Sequence, residues 1–155
     1  MKPKLQISWE KSTPPADLNE ADIIEAGVVY LEALGLDGVL VNLLLASDAT
    51  LADLNQRFRQ KPQPTDVLSW RYADDPQDDL LEEDPVYGEI AISLDKVRAQ
   101  ARENGWDDRT ELLRLLAHGC THLAGYDHET PPEEKEMRGI EIRLLGKTGL
   151  TDLYP

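Results

Sequence analysis

The sequence predicts an α+β fold: a single domain in which a small mixed four-stranded sheet is packed with about five helices. Three observations predict it. Segments with the alternating or continuous apolar pattern of strands and segments of helical period follow one another in the order β-α-β-α-β-β-α-α-α, which implies a mixed sheet with helices packed against it. A length of 155 residues suits one domain, and no internal repeat, low-complexity tract or Gly/Ser linker divides it, so residues 1–155 are read as one unit. Apolar residues make up 41% of the chain, enough for a core despite a formal net charge of −14, which sets it apart from disordered acidic chains.

Each element has its own justification. Lys4 to Glu10 alternates Leu5, Ile7 and Trp9 with polar neighbours, as a half-buried strand does. After Pro14 and Pro15, Asp17 is expected to cap a helix in which Ile23, Ile24, Val28 and Leu31 repeat at helical spacing until Gly35 stops it. Val39 to Ala46 is almost continuously apolar, the pattern of a strand covered on both faces. Ser47 and Asp48 open a second helix through Phe58. Thr65 to Trp70 and Tyr87 to Ser93 read as strands of a hairpin.

A third helix from Leu94 to Asn104 is closed by Gly105. The next, from Asp107 or Asp108 through Leu123, carries a wide apolar face of Leu112, Leu113, Leu115 and Leu116 and is therefore central. Pro131 and Pro132 start the last helix. Its first turn holds Glu133, Glu134 and Glu136, where the helix dipole favours acids, and its core face is Met137, Ile140 and Leu144.

Cysteine and charge bound the function. A lone Cys120 excludes a disulfide scaffold. The segment opening Met1-Lys2-Pro3-Lys4 has no apolar signal region and no 18-residue apolar run follows, so a soluble, cytoplasmic protein with no membrane partner is expected. An overall charge of −14 argues against nucleic acid, whose phosphates are met by clustered Lys and Arg. That charge is uneven, however. Seven acids and no base lie between Ala73 and Pro85, a solvated acidic loop without the regular spacing or turn glycine of a calcium site. Between Gln56 and Arg71, by contrast, Arg57, Arg59, Lys61 and Arg71 face only Asp66, a local balance of +3.

The chain's three histidines, His118, His122 and His128, all fall within eleven residues. At i and i+4, His118 and His122 project from one face of a helix a single turn apart. Gly125 permits a sharp exit, and His128 returns toward the same point. Three neutral imidazoles leave a tetrahedral zinc with its fourth position open, the mark of a catalytic site holding one ion per chain. Cys120 points away from that face and reads as a small buried residue. Asp127 either orients a ligand imidazole or caps the turn.

The spacing matches the H-E-x-x-H-x-x-G-x-x-H zinc pattern of metalloproteases, except that Gly119 stands where the general-base Glu belongs. Peptide hydrolysis is accordingly disfavoured. Phosphodiester cleavage asks less of the protein: the metal polarises the phosphoryl group and supplies the nucleophile, while a nearby arginine offsets developing charge.

Residues His118 to His128, H-G-C-T-H-L-A-G-Y-D-H, resemble the H-G-x-L-H-L-x-G-Y-D-H element of the YbeY family of bacterial endoribonucleases and rRNA maturation factors. Asn55 to Trp70 is similar to that family's N-x-x-Y-R-x-x-D-x-P-T-D-V-L-S-F stretch, and Gly88 to Ser93 to its G-D-I-x-I-S strand. The resemblance implies a zinc-dependent, single-strand-specific endoribonuclease of small-subunit rRNA 3′-end maturation and ribosome quality control. By position it makes His118, His122 and His128 the metal ligands and Arg59 the catalytic arginine. Single-stranded rRNA and the small ribosomal subunit are its implied partners, with ribosomal proteins or assembly factors beyond them.

Thr65, Asp66 and Ser69 match as well and read as residues that order the turn and strand beside the site. Among the departures are Thr121 for Leu, Trp70-Arg71 for Phe-Pro and Glu89 for Asp. Trp70 reads as core in preference to a stacking platform for an unpaired base, and Arg71 adds a basic group. A ribosome-assembly factor with a structural metal is the alternative function, and a metalloprotease the least favoured. Binding to naked RNA is expected to be weak and salt-sensitive.

Overall fold

The computed structural model describes residues 1–11, 14–61, 63, 65–72 and 86–154. The acidic run expected as a loop, residues 73–85, lies outside the described residues. Its neighbours form the predicted order: β1 (Lys4–Trp9), α1 (Glu20–Ala33), β2 (Leu40–Ala46), α2 (Asp48–Arg59), β3 (Val67–Arg71), β4 (Val86–Ser93), α3 (Leu94–Asn104), α4 (Asp108–Leu123) and α5 (Pro131–Lys147). The four strands lie in the order β1-β2-β4-β3, with β1, β2 and β4 parallel and β3 antiparallel on β4, so the sheet is mixed as expected. No helix among the described residues is long and apolar enough to cross a membrane.

Register decides which side chains share a face. Ile7 pairs with Leu43 and Leu43 with Ile90, while Trp9, Leu45 and Ile92 form the next row. Alternation sends these rows to one side, where they join Ile23, Tyr30 and Leu31 of α1, Leu112, Leu113 and Leu116 of α4, and Ile140 and Leu144 of α5 in the main core. Each such aliphatic side chain contributes roughly 1.5–3 kcal/mol on burial. On the opposite face Ala46, Leu68 and Ala91 meet Leu51 of α2, with Leu44, Leu54 and Trp70 packed around them.

Two local expectations are corrected. Expected to be covered on both faces, β2 leaves Leu40, Asn42 and Leu44 half-buried on its second face. Only Ser47 separates β2 from the twelve-residue α2, so α2 covers the end of the strand it has just left. At the start of α1 the cap is Asn19, whose Oδ1 accepts from the Asp22 amide at 2.9 Å. Asp17 lies too early for that bond and instead stands 3.8 Å from Arg98.

The helix that positions the site is α4. Its N-cap Asp107 accepts from the Thr110 amide, and its buried stripe runs from Leu112 to Leu123. It seats closely on the sheet at Gly119, where a Cβ would stand 2.9 Å from Cγ2 of Ile90. Against α4 packs α5, capped by Thr130, with Met137, Ile140 and Leu144 buried as expected. One acid, Glu141, is buried on that same face.

Candidate metal centre

Successive turns of α4 place Arg114, His118 and His122 along one face, opposite the sheet-facing stripe. Beyond Leu123 the helix ends at Ala124. Gly125, at φ 101°, takes the left-handed turn that brings His128 back over the last turn. One nitrogen from each imidazole lies within 4.8 Å of the others, so the three predicted histidines do converge and could hold one metal ion. Ring centroids are 5.0 Å apart for His118 and His122, 5.5 Å for His118 and His128, and 5.0 Å for His122 and His128.

The surroundings suit a cation. Burial, followed by the imidazoles of His118 and His128, holds the pKa of His122 down at about 4, so its lone pair is available at neutral pH. Nδ1 of His118 lies 3.3 Å from Oε1 of Glu141, which leaves Nε2 as the nitrogen available to a metal. Tyr154 donates to the same carboxylate oxygen at 3.3 Å. Asp127 accepts from the His128 amide at 2.8 Å, and of its two expected roles this bond supports capping of the turn.

Arg59 is the last residue of α2, closed by Gln60 in the left-handed region at φ 57°. Its neighbour Arg57 pairs with Asp53 at 3.2 Å. Arg59 opens instead into a cavity of about 680 Å³ that it shares with His118, His122 and His128, close enough for its charge to act on His122. Thr65, Asp66 and Ser69 form one wall of this cavity. The backbone carbonyl of Asp66 accepts from the Ser93 amide at 2.9 Å, and its carboxylate accepts from Gln100 at 3.4 Å, so the side-chain part of the ordering expected of it is the tie to α3.

Two residues of the site, Glu141 and Arg114, carry at most a weak signal in the sequence. Glu141 sits on the stripe of Met137, Ile140 and Leu144, and an acid on a buried face requires a partner, the one cue available. Arg114, one turn before His118, is gripped by the fully buried Glu111 through Nε at 2.9 Å and Nη2 at 2.6 Å. Burial opposes the charge on Arg114, but hydrogen bonds to Glu111 and Tyr154 outweigh it and raise its pKa. Glu111 also accepts from Trp106 at 3.1 Å and Gln100 at 2.6 Å.

Gly119, where the protease pattern has its base, looks into the sheet at Ile90 and away from the imidazoles. Cys120 is fully buried, as expected, and burial pushes its thiol up to about 12.

Comparison with known proteins agrees with this geometry. A family model described as Endoribonuclease YbeY matches residues 11–149. The endoribonuclease YbeY of Desulfitobacterium hafniense is 35% identical over 154 residues, covering 94% of this chain and 98% of its own. That of Roseiflexus castenholzii is 41% identical over 138 residues, covering 85% and 86%. The Myxococcus xanthus relative is 41% identical over 124 residues, 78% of this chain, and there the chain spans only 40% of the relative's length. The solution structure of a Thermotoga maritima protein superimposes with a TM-score of 0.55 at 31% identity, covering 94% of this chain and 91% of that one. The family match takes in every element after the first strand, histidine cluster included, and the chain belongs to the YbeY endoribonuclease family.

Proposed function

We propose that this chain, over residues 1–155, is a metal-dependent endoribonuclease of the cytoplasm that cleaves single-stranded rRNA during small-subunit 3′-end maturation and ribosome quality control. Zinc is its metal, one ion per chain, held by His118, His122 and His128. The observation that carries this reading is the convergence of three imidazoles in a cavity into which Arg59 also opens. Neutral nitrogen donors in threes are a zinc donor set with room for a further ligand. When bound, zinc supplies Lewis-acid polarisation of a phosphoryl oxygen and a water activated near neutral pH.

The chain's own residues do the remainder. Burial keeps His122 unprotonated, and Glu141 fixes the ring of His118 and its tautomer. Arg59, fixed to the end of α2, offers a planar cation to the phosphate as negative charge develops. The ribosomal subunit, its proteins or assembly factors supply the docking surface that a chain of net charge −14 lacks.

The test is incubation of the purified, untagged, zinc-loaded protein with single-stranded rRNA fragments. Wild type is expected to cleave while His118→Ala and Arg59→Glu do not. Cleavage no faster than in these variants would refute the enzyme. One equivalent of zinc, lost on His128→Ala, is the matching expectation for the ligands.

A further inference from the structure

We infer that Phe58 is a stacking platform for one unpaired base of the RNA, backed by Trp70 and set beside Arg59, so that the site takes single strands in preference to duplexes. This rests on the endoribonuclease reading and adds to it a subsite for the substrate's base.

Isolated exposed apolar side chains are common and mean little. What distinguishes Phe58, 60% exposed, is how it is held and what it adjoins. Its ring lies on that of Trp70, with centroids 5.1 Å apart and planes 19° from parallel. Trp70 is half-buried, packed against the cluster of Leu51, Leu68 and Ala91 while also lining the cavity, so it is less enclosed than the core residue expected, and the phenylalanine is the outer layer of the stack. A ring fixed from behind has little freedom to lose when a base covers it.

Position supplies the ligand class. Phe58 and Arg59 are consecutive in the last turn of α2, and both line the cavity that holds the imidazoles. A flat apolar surface beside a planar cation matches a nucleotide, which joins a base to a phosphate. Electrostatics points the same way. The cavity sets five acids against Arg59, Arg114 and Arg138, so attraction for phosphate is partly offset and stacking adds affinity that does not depend on charge. A paired base is sandwiched within its duplex, whereas an unpaired base is free to lie on Phe58.

The experiment measures KM and kcat of the zinc-loaded full chain on a short single-stranded RNA with one cleavage position, and on copies in which a single nucleotide flanking that position is abasic. Phe58→Ala is expected to raise KM about 5- to 150-fold on intact RNA. Phe58→Trp is expected to restore it, and zinc content to stay at the wild-type value. On the RNA lacking the stacked base, wild type and Phe58→Ala are expected to converge. Unchanged KM in Phe58→Ala, failure of Phe58→Trp to rescue, or a penalty that persists with every abasic RNA would each overturn the platform while wild-type cleavage leaves the enzyme reading standing. Absence of wild-type cleavage would instead bring down both.

Discussion

Oε1 of Glu141 stands 3.3 Å from Nδ1 of His118, so the acid buried on α5 reaches an imidazole on α4. A carboxylate on the far nitrogen orients a ligand imidazole and raises its basicity, and losing such a partner commonly weakens metal binding 10- to 100-fold. Glu141→Gln keeps the volume and an acceptor but removes the charge. Zinc affinity is expected to drop by about tenfold or more, measured by competition with a chromophoric chelator, with the thermal transition of the metal-free protein nearly unmoved. Equal affinities would show that the contact does nothing for the metal.

Gly119 separates this site from the protease pattern for a steric reason. A Cβ there would lie 2.9 Å, 3.2 Å and 3.3 Å from three carbons of Ile90, a β-branched side chain locked in the middle of β4. Overpacking of this kind costs about 1–3 kcal/mol, against a gain of up to about 1 kcal/mol in helix propensity. Gly119→Ala is therefore expected to melt a few degrees lower than wild type. Gly119→Glu would bury an unpaired acid against the sheet and should fail to accumulate folded protein rather than acquire peptidase activity. A Gly119→Glu variant that folds with wild-type stability would contradict the packing.

What could be read in advance followed from how local each signal is. The histidine cluster spans eleven residues and one helix turn, so spacing alone predicts its convergence. Glu141 and Phe58 are different. The place of Glu141 on the stripe of Met137, Ile140 and Leu144 marks it as an acid that needs a partner, but the partner is decided only when α5 crosses α4 beside a residue 23 positions earlier. Phe58 is defined by a strand that begins after it in the chain. Asp17 and Asn19 are equally good caps by type, and the choice between them is made by where α1 starts to bury Ile23. The apolar run of β2 signals available surface; the shortness of α2 determines how much of it is covered.

The fold is expected to survive removal of the metal. Leu112, Leu113, Leu116 and Cys120 seat α4 on the sheet, on the side away from the imidazoles, and this packing needs no ion. Chelation should leave the far-ultraviolet circular dichroism and a cooperative thermal transition in place. Tm should fall only by the binding free energy that the metal contributes through mass action. Loss of secondary structure on chelation would favour a structural metal and the assembly-factor alternative.

Acid stability is expected to depend on the pair that joins α1 to α4. Arg109 meets Asp22 through Nε at 2.6 Å and Nη2 at 3.1 Å. Those hydrogen bonds hold the Asp22 carboxyl below its ordinary range, against the smaller opposing effect of burial. The native state thus binds fewer protons there than the unfolded chain. The stabilisation is complete above the ordinary carboxylate range, near pH 4, and disappears as pH falls through the depressed native value. Both side chains are more than a third exposed, 38% and 36%, so solvent screening limits the contribution to about 1 kcal/mol or less. Asp22→Asn preserves the shape and the helix start without the charge. Denaturant titrations should show wild type more stable than Asp22→Asn at pH 7, the gap shrinking in high salt and closing in acid. A gap of the same size at pH 7 and at about pH 2 would mean that the pair acts through packing and not through charge.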